Sequence, residues 1–67
     1  MPEFRDKVEF ENVLAVAETP LAVLCRIDEV EHWIPQSQID ANSEVWHKGD
    51  EGKLVISEWI ALEKKLI

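Results

Sequence analysis

From residue 8 the chain alternates apolar and polar side chains, with Val8 and Phe10 set between Lys7, Glu9 and Glu11. This is the period of a half-buried strand. The alternation slips phase near Asn12, Val13 and Leu14, which predicts a bulge or a bend inside the run. Thr19 and Pro20 then break it. Residues 21–27, LAVLCRI, are nearly continuous hydrophobe, and so short a run between turn signals predicts a strand rather than a buried helix segment. Asp28 and Glu29 form the tip of a hairpin. Across it Ile27 opposes Val30, Arg26 opposes Glu31, Cys25 opposes His32, Leu24 opposes Trp33 and Val23 opposes Ile34. The opposite charges of Arg26 and Glu31 favour this register, although the turn lacks the glycine that a two-residue type I′ loop prefers. Pro35 ends the strand because it has no N–H for a ladder.

A second hairpin is predicted after the polar connection that follows Pro35. EVWHK and KLVIS flank GDEG, a loop with glycines at both ends and acids at its tip. Its simplest register sets His47 against Leu54, Trp46 against Val55 and Val45 against Ile56. The period then changes. In SEWIALEKKLI, Ser57 suits an N-cap, Glu58 the first turn, and Lys64 and Lys65 the last, which predicts a helix over residues 57–66. Trp59, Leu62 and Leu66 share one face at helical spacing, with Glu63 interrupting the arc. The pattern predicts one mainly β domain over residues 1–67, loosely ordered over residues 1–7 apart from Phe4. Its body is an antiparallel five-stranded bent sheet or partly open barrel, SH3-like or OB-like in shape, with a short C-terminal helix.

Both faces of such a sheet are apolar. One carries Val23, Cys25, Ile27, Val30, His32, Ile34, Val45, His47, Leu54 and Ile56; the other carries Leu24, Trp33, Trp46 and Val55 beside the Arg26–Glu31 pair. Two arrangements remain open. Either the helix covers the Trp33 and Trp46 side through Trp59, Leu62 and Leu66, or part of that side stays uncovered for a partner or a second copy.

Charge narrows the partners. Fourteen Asp and Glu against seven Lys and Arg leave a formal net charge of −7. A nucleic-acid binder draws its affinity from neutralised phosphates and carries the opposite balance, so nucleic acid and anionic membranes are disfavoured and a partner with a basic surface fits. No apolar run approaches the length of a signal or membrane-spanning segment. The expectation is a soluble protein that stays in the cytoplasm. Cys25 is the only cysteine, which permits no internal disulfide and agrees with a reducing setting.

Little reactive chemistry is in view. Cys25 opposite His32, with His47 elsewhere, falls short of the four closely spaced ligands of a structural zinc site. A Cys–His nucleophile would need an exposed, activated thiolate, and Cys25 lies in an apolar run. Ser37, Ser43 and Asp40 share a loop without a nucleophile elbow, and turn capping explains them better. The acids of GDEG are too few for calcium. No metal or cofactor is expected. The candidate binding residues are Trp33, Trp46, Gln36 and Gln38, with Asp50 and Glu51 as an acidic rim.

From residue 21 onward, LAVLCRID, EHWIPQSQI, EVW, GDEGKLVISEWIA and the closing lysines resemble a family of small uncharacterised proteins encoded by bacteriophages and prophages. The shared run is an apolar strand, a short acidic turn, Trp-Ile-Pro-x-Ser-Gln, and a later Glu-Trp-Ile/Leu-Ala followed by lysines. Trp33, Ile34, Pro35, Gln36, Ser37 and Gln38 carry its most specific part. Members commonly have a glycine late in the tail, where Lys65 and Leu66 stand here. The resemblance implies a phage-derived accessory protein in the cytoplasm of a bacterial host, and no activity comes with it. The resulting expectation is a non-enzymatic protein-interaction module acting through a Trp-bearing face and an acidic rim. Its narrowest form is an inhibitor of a host nucleic-acid-handling complex, an acidic body competing for a basic groove. The alternative is a small barrel that stacks single-stranded nucleic acid on Trp33 and Trp46, favoured by the tryptophans and opposed by the charge.

Overall fold

Four antiparallel strands and one short helix are built from residues 3–67, the part of the chain that the computed structural model describes. The strands are β1 (Lys7–Glu18), β2 (Ala22–Ile27), β3 (Val30–Pro35) and β4 (Glu51–Ser57), ordered β3-β2-β1-β4 in one open sheet. A 3-10 turn over Gln36–Gln38 follows β3, and α1 (Glu58–Glu63) follows β4.

The phase slip in β1 is a real bulge. Pairing with β4 runs from Lys7↔Ser57 to Phe10↔Leu54, then resumes at Val13↔Gly52 after Asn12 has taken a left-handed φ of 58°. Asparagine tolerates that conformation better than most residues. A second irregularity, between Ala15 and Ala17, adjusts β1 to β2. Both bend the long strand and let it serve two neighbours.

The β2–β3 hairpin has the register that charge pairing predicts, from Ile27↔Val30 through Arg26↔Glu31 and Leu24↔Trp33 to Ala22↔Pro35. Asp28 and Glu29 both adopt positive φ, 50° and 69°, the hand a two-residue turn needs to match strand twist. The turn type holds without glycine.

The second hairpin does not form, which leaves four strands instead of five. Residues 45–48 form no ladder with β4 because side chains capture their backbone donors. One Asp50 carboxylate oxygen accepts from Trp46 N–H at 3.0 Å and His47 N–H at 2.8 Å. Gly49 N–H donates to Ala15 O, and Ala15 N–H to Asp50 O, so the turn is fastened to β1 rather than to β4. Local carboxylate acceptors thus outcompete a ladder. The outer edge of β4 is covered instead by an Ile39↔Ile56 bridge, by Asp40 N–H on Val55 O and by Glu44 N–H on Lys53 O.

The main core cluster lies on one side of the sheet, while Val55, between Leu54 and Ile56 on β4, is fully buried outside that cluster. Val13, Ala15, Val23, Cys25, Ile27, Ile34, Leu54 and Ile56 meet Ile39 and Val45 from the long connection and Ile60 and Ala61 from α1. The helix is shorter than residues 57–66 and turned differently. Ser57 caps it by accepting from Ile60 N–H, and Lys65, at φ 58°, stops it. Leu66 N–H then reaches Ala61 O and Lys65 N–H reaches Leu62 O, the paired closure of a Schellman ending. Leu66 folds back onto the core, while Trp59 and Leu62 are 60% and 55% exposed. The buried face is Ile60 and Ala61, and the Trp59–Leu62–Leu66 stripe does not cover the sheet.

Of the stretch expected to be loose, residues 1 and 2 lie outside the described residues. Phe4 N–H donates to the Asp40 carboxylate at 2.7 Å, Asp6 O accepts from Glu58 N–H, and Lys7 already opens β1.

Candidate functional site

The hairpin register and the β1 pairing place residues in rows across the face of the sheet that points away from the core. One row is Ala17, Leu24 and Trp33, on β1, β2 and β3. The next is Glu51, Leu14, Arg26 and Glu31, running across all four strands. Beyond the first row, Ala22 stands against Pro35, and Leu21 projects from the β1–β2 turn with 81% of its surface exposed. Leu14, Ala17 and Leu24 are half-buried, and Trp33 is 43% exposed. An apolar row therefore crosses three strands to the β3 edge, bordered by a row holding two acids and one base. Arg26 and Glu31 join at 3.1 Å with both side chains exposed, an ion pair of little energetic weight.

Of the candidate residues, Trp33 alone presents an aromatic side chain on this face. Trp46 does not stand beside it. With no strand at residues 44–48, its indole packs against the core and its ring N–H donates to Ser43 O at 2.9 Å. Gln38 is held by Ser57, whose hydroxyl donates to its side-chain oxygen, and Gln36 donates its N–H to Leu21 O. Both follow the strand end below Trp33, half-buried. Asp50 is a turn-holding acid rather than a rim, and its two backbone donors hold its carboxyl below the usual range. Glu51 is exposed and belongs to the bordering row through Leu14. Leu21, Leu14 and Ala17 went unnoticed in the sequence, although the LAVLCRI run already contained the exposed Leu21.

Grooves flank the sheet. A shallow one of about 740 Å3 lies between the N-terminal segment and α1, with Phe4, Trp59 and Leu62 for walls and Arg5 and Glu58 at its margin. A smaller one of about 390 Å3 borders β3 on the core side. Phe10, Ile27, Val30 and Leu66 form its apolar wall, and His32, Asp28, Lys64 and Lys65 its polar one.

Several titratable groups are held by the fold. Asp40 is fully buried, accepting from Phe4 N–H and from both the backbone and side chain of Asn42, with Lys7 at 3.6 Å. Its carboxyl is held low, first by the Asn42 and Phe4 backbone donors. Glu18 is held low chiefly by His47, whose Nδ1 lies 3.2 Å away, and by Lys48 N–H. Ser43 accepts from Val45 and Val55 N–H, and Ser57 accepts from Ile60 N–H while donating to Gln38. Burial pushes the Cys25 thiol up to about 11, so the group facing His32 is neutral and shielded. Among the described residues no three His, Cys, Asp or Glu side chains are grouped to hold a metal ion. Nor is any described helix long and apolar enough to cross a membrane. No protein-family model, curated protein or solved structure matches this chain.

Proposed function

We propose that the protein is a non-enzymatic interaction module that engages another protein through the Trp33-bearing face of its sheet. The observation that carries this reading is the Ala17–Leu24–Trp33 row with Leu21 beside it, left uncovered by α1. Tryptophan concentrates binding energy at interfaces, and half-buried aliphatic neighbours give it a floor to hold position. The carboxylates of Asp40, Asp50, Glu18 and Glu44 fit the same reading, because they are occupied by backbone donors.

The resemblance to small phage and prophage proteins suggests the setting: an accessory protein in a bacterial cytoplasm. The excess of acid favours a basic partner surface, and inhibition of a host nucleic-acid-handling complex is the narrow form of the proposal. The bent β1 and the bridge from Ile39 to β4 favour reading the body as an SH3-like or OB-like, partly open barrel. Stacking of single-stranded nucleic acid has less support, since Trp33 lacks a second tryptophan beside it.

Affinity capture from bacterial lysate tests the reading with wild type, Trp33→Ala and Trp59→Ala, each checked for folding by circular dichroism. Trp33→Ala should lose the captured protein, and Trp59→Ala should keep it. Equal recovery by wild type and Trp33→Ala would remove this face from the function.

A further inference from the structure

The free edge of β3 has a hydrogen-bonding parity that follows from its turn. A two-residue turn is closed by a hydrogen-bonded pair, here Ile27↔Val30, and bonded and non-bonded pairs then alternate along an antiparallel ladder. Val30, His32 and Ile34 therefore direct their backbone groups at β2. Glu31, Trp33 and Pro35 direct theirs outward, at the end of the sheet order where no strand follows. No other backbone or side-chain hydrogen bond among the described residues uses the outward groups of Glu31 or Trp33. Pro35 sits where its missing N–H costs the β2 ladder nothing, and it closes the free edge at that end.

An added strand here would lie between two apolar surfaces. On the outer face its side chains would meet Trp33, with Glu31 and Pro35 to either side. On the core side they would meet the groove walled by Phe10, Ile27, Val30 and Leu66. Main-chain bonds from an edge with pockets for alternate side chains are the ingredients of strand addition. Charge selects the occupant. A second copy would bring a further net charge of −7 to the seam, whereas a cationic segment is attracted to it. Glu29 in the turn and Glu31, paired with Arg26, lie along this edge, and Asp28 and Glu29 have no salt bridge among the described residues. Lys64 and Lys65 stand on the core-side groove, so the acidic attraction lies at the turn and the outer face.

We infer that β3 accepts an extended segment of a partner protein, aliphatic with flanking lysine or arginine, as a fifth strand bonded to Glu31 and Trp33. This rests on the interaction-module reading and specifies how the Trp33 face is used.

The test uses the folded chain and a synthetic peptide of about seven residues, valine-rich with lysines at one end. Two further peptides match it, one with glutamates for the lysines and one N-methylated at alternate amides. Amide exchange and tryptophan emission are followed together. The lysine peptide should shift Trp emission and protect the Glu31 and Trp33 amides, leaving Val30 and His32 as they were. The glutamate and N-methylated peptides, and the lysine peptide against Trp33→Ala, should bind more weakly by about tenfold or more. An emission shift without protection at Glu31 and Trp33, or equal binding of the N-methylated peptide, overturns strand addition and leaves the Trp33 face standing. Protection that rises with protein concentration before peptide is added identifies a second copy as the occupant and overturns the basic segment. Silence in both readouts overturns strand addition by such a segment, while the capture experiment judges the interaction reading separately.

Discussion

Gly52 offers a sharp stability test, because two separable costs meet at one hydrogen atom. Its φ is +145°, a backbone region that side chains avoid, and a Cβ built there would stand 2.7 Å from a Glu44 carboxylate oxygen. That same oxygen accepts from Lys53 N–H at 2.8 Å. In Gly52→Ala the backbone strain costs about 1–3 kcal/mol. The Glu44 carboxylate is the far end of a flexible side chain and can swing aside, at the expense of its bond to Lys53, about 1 kcal/mol. The sum, about 2–4 kcal/mol, is a large part of the roughly 3–10 kcal/mol available to a domain this small. The melting temperature should fall by roughly 10–25 °C. Urea unfolding of wild type, Gly52→Ala, Glu44→Ala and the double variant completes a cycle. With Glu44 already truncated, Gly52→Ala should cost only the backbone part, giving a coupling of about 1 kcal/mol. A Gly52→Ala cost below about 0.5 kcal/mol would refute the strain argument. Equal costs in both backgrounds would refute the part assigned to Glu44.

Lys65→Gly should stabilise the protein by about 0.5–1 kcal/mol in urea melts, because Lys65 occupies the left-handed closing position of α1 where glycine is unstrained. Asp40→Asn should lower stability near neutrality and flatten its fall in acid. The folded carboxyl sits below its ordinary value of 3.8, so its contribution is present above that pH and is lost as pH falls through the folded value. Urea melts below and above pH 4 compare the two slopes. Cys25 should resist thiol reagents at pH 8 until urea opens the fold. Its folded value of about 11 against an ordinary 9.0 means that its contribution is intact below pH 9 and declines as pH rises toward 11. Rapid labelling without urea would contradict the buried position.

What was legible in the sequence came from period and local pairing. The β2–β3 hairpin was legible down to its register, because Arg26 and Glu31 pair across a short turn and one slip would reverse every face. The bulge in β1 was legible as a phase slip at Asn12. Residues 44–50 misled because EVWHK has strand composition, while the choice was made by side chains: Asp50 takes the Trp46 and His47 N–H groups within the segment, and Ser43 takes Val55 N–H on β4. With that strand went the pairing of Trp33 with Trp46. The helix face misled for a different reason. Six residues span less than two turns, so the spacing of Trp59 and Leu62 could not compete with the adjacent pair Ile60 and Ala61. The apolar row on the outer face needed the β1–β2 pairing, a contact that the hydrophobic pattern alone does not specify.

The pairing of Val8 with Ile56 and Phe10 with Leu54 has a consequence for how the molecule comes into being. The β2–β3 hairpin is local and can form as soon as it is synthesised, but β1 must wait through the whole central stretch for its second neighbour. Until β4 emerges, one side of β1 offers open backbone and the apolar side chains of Val8, Phe10 and Val13 to whatever is near. Folding should accordingly be slow for a chain of this length, its rate set by that distant closure. Nascent chains stalled before β4 should be the form that chaperones and proteases meet.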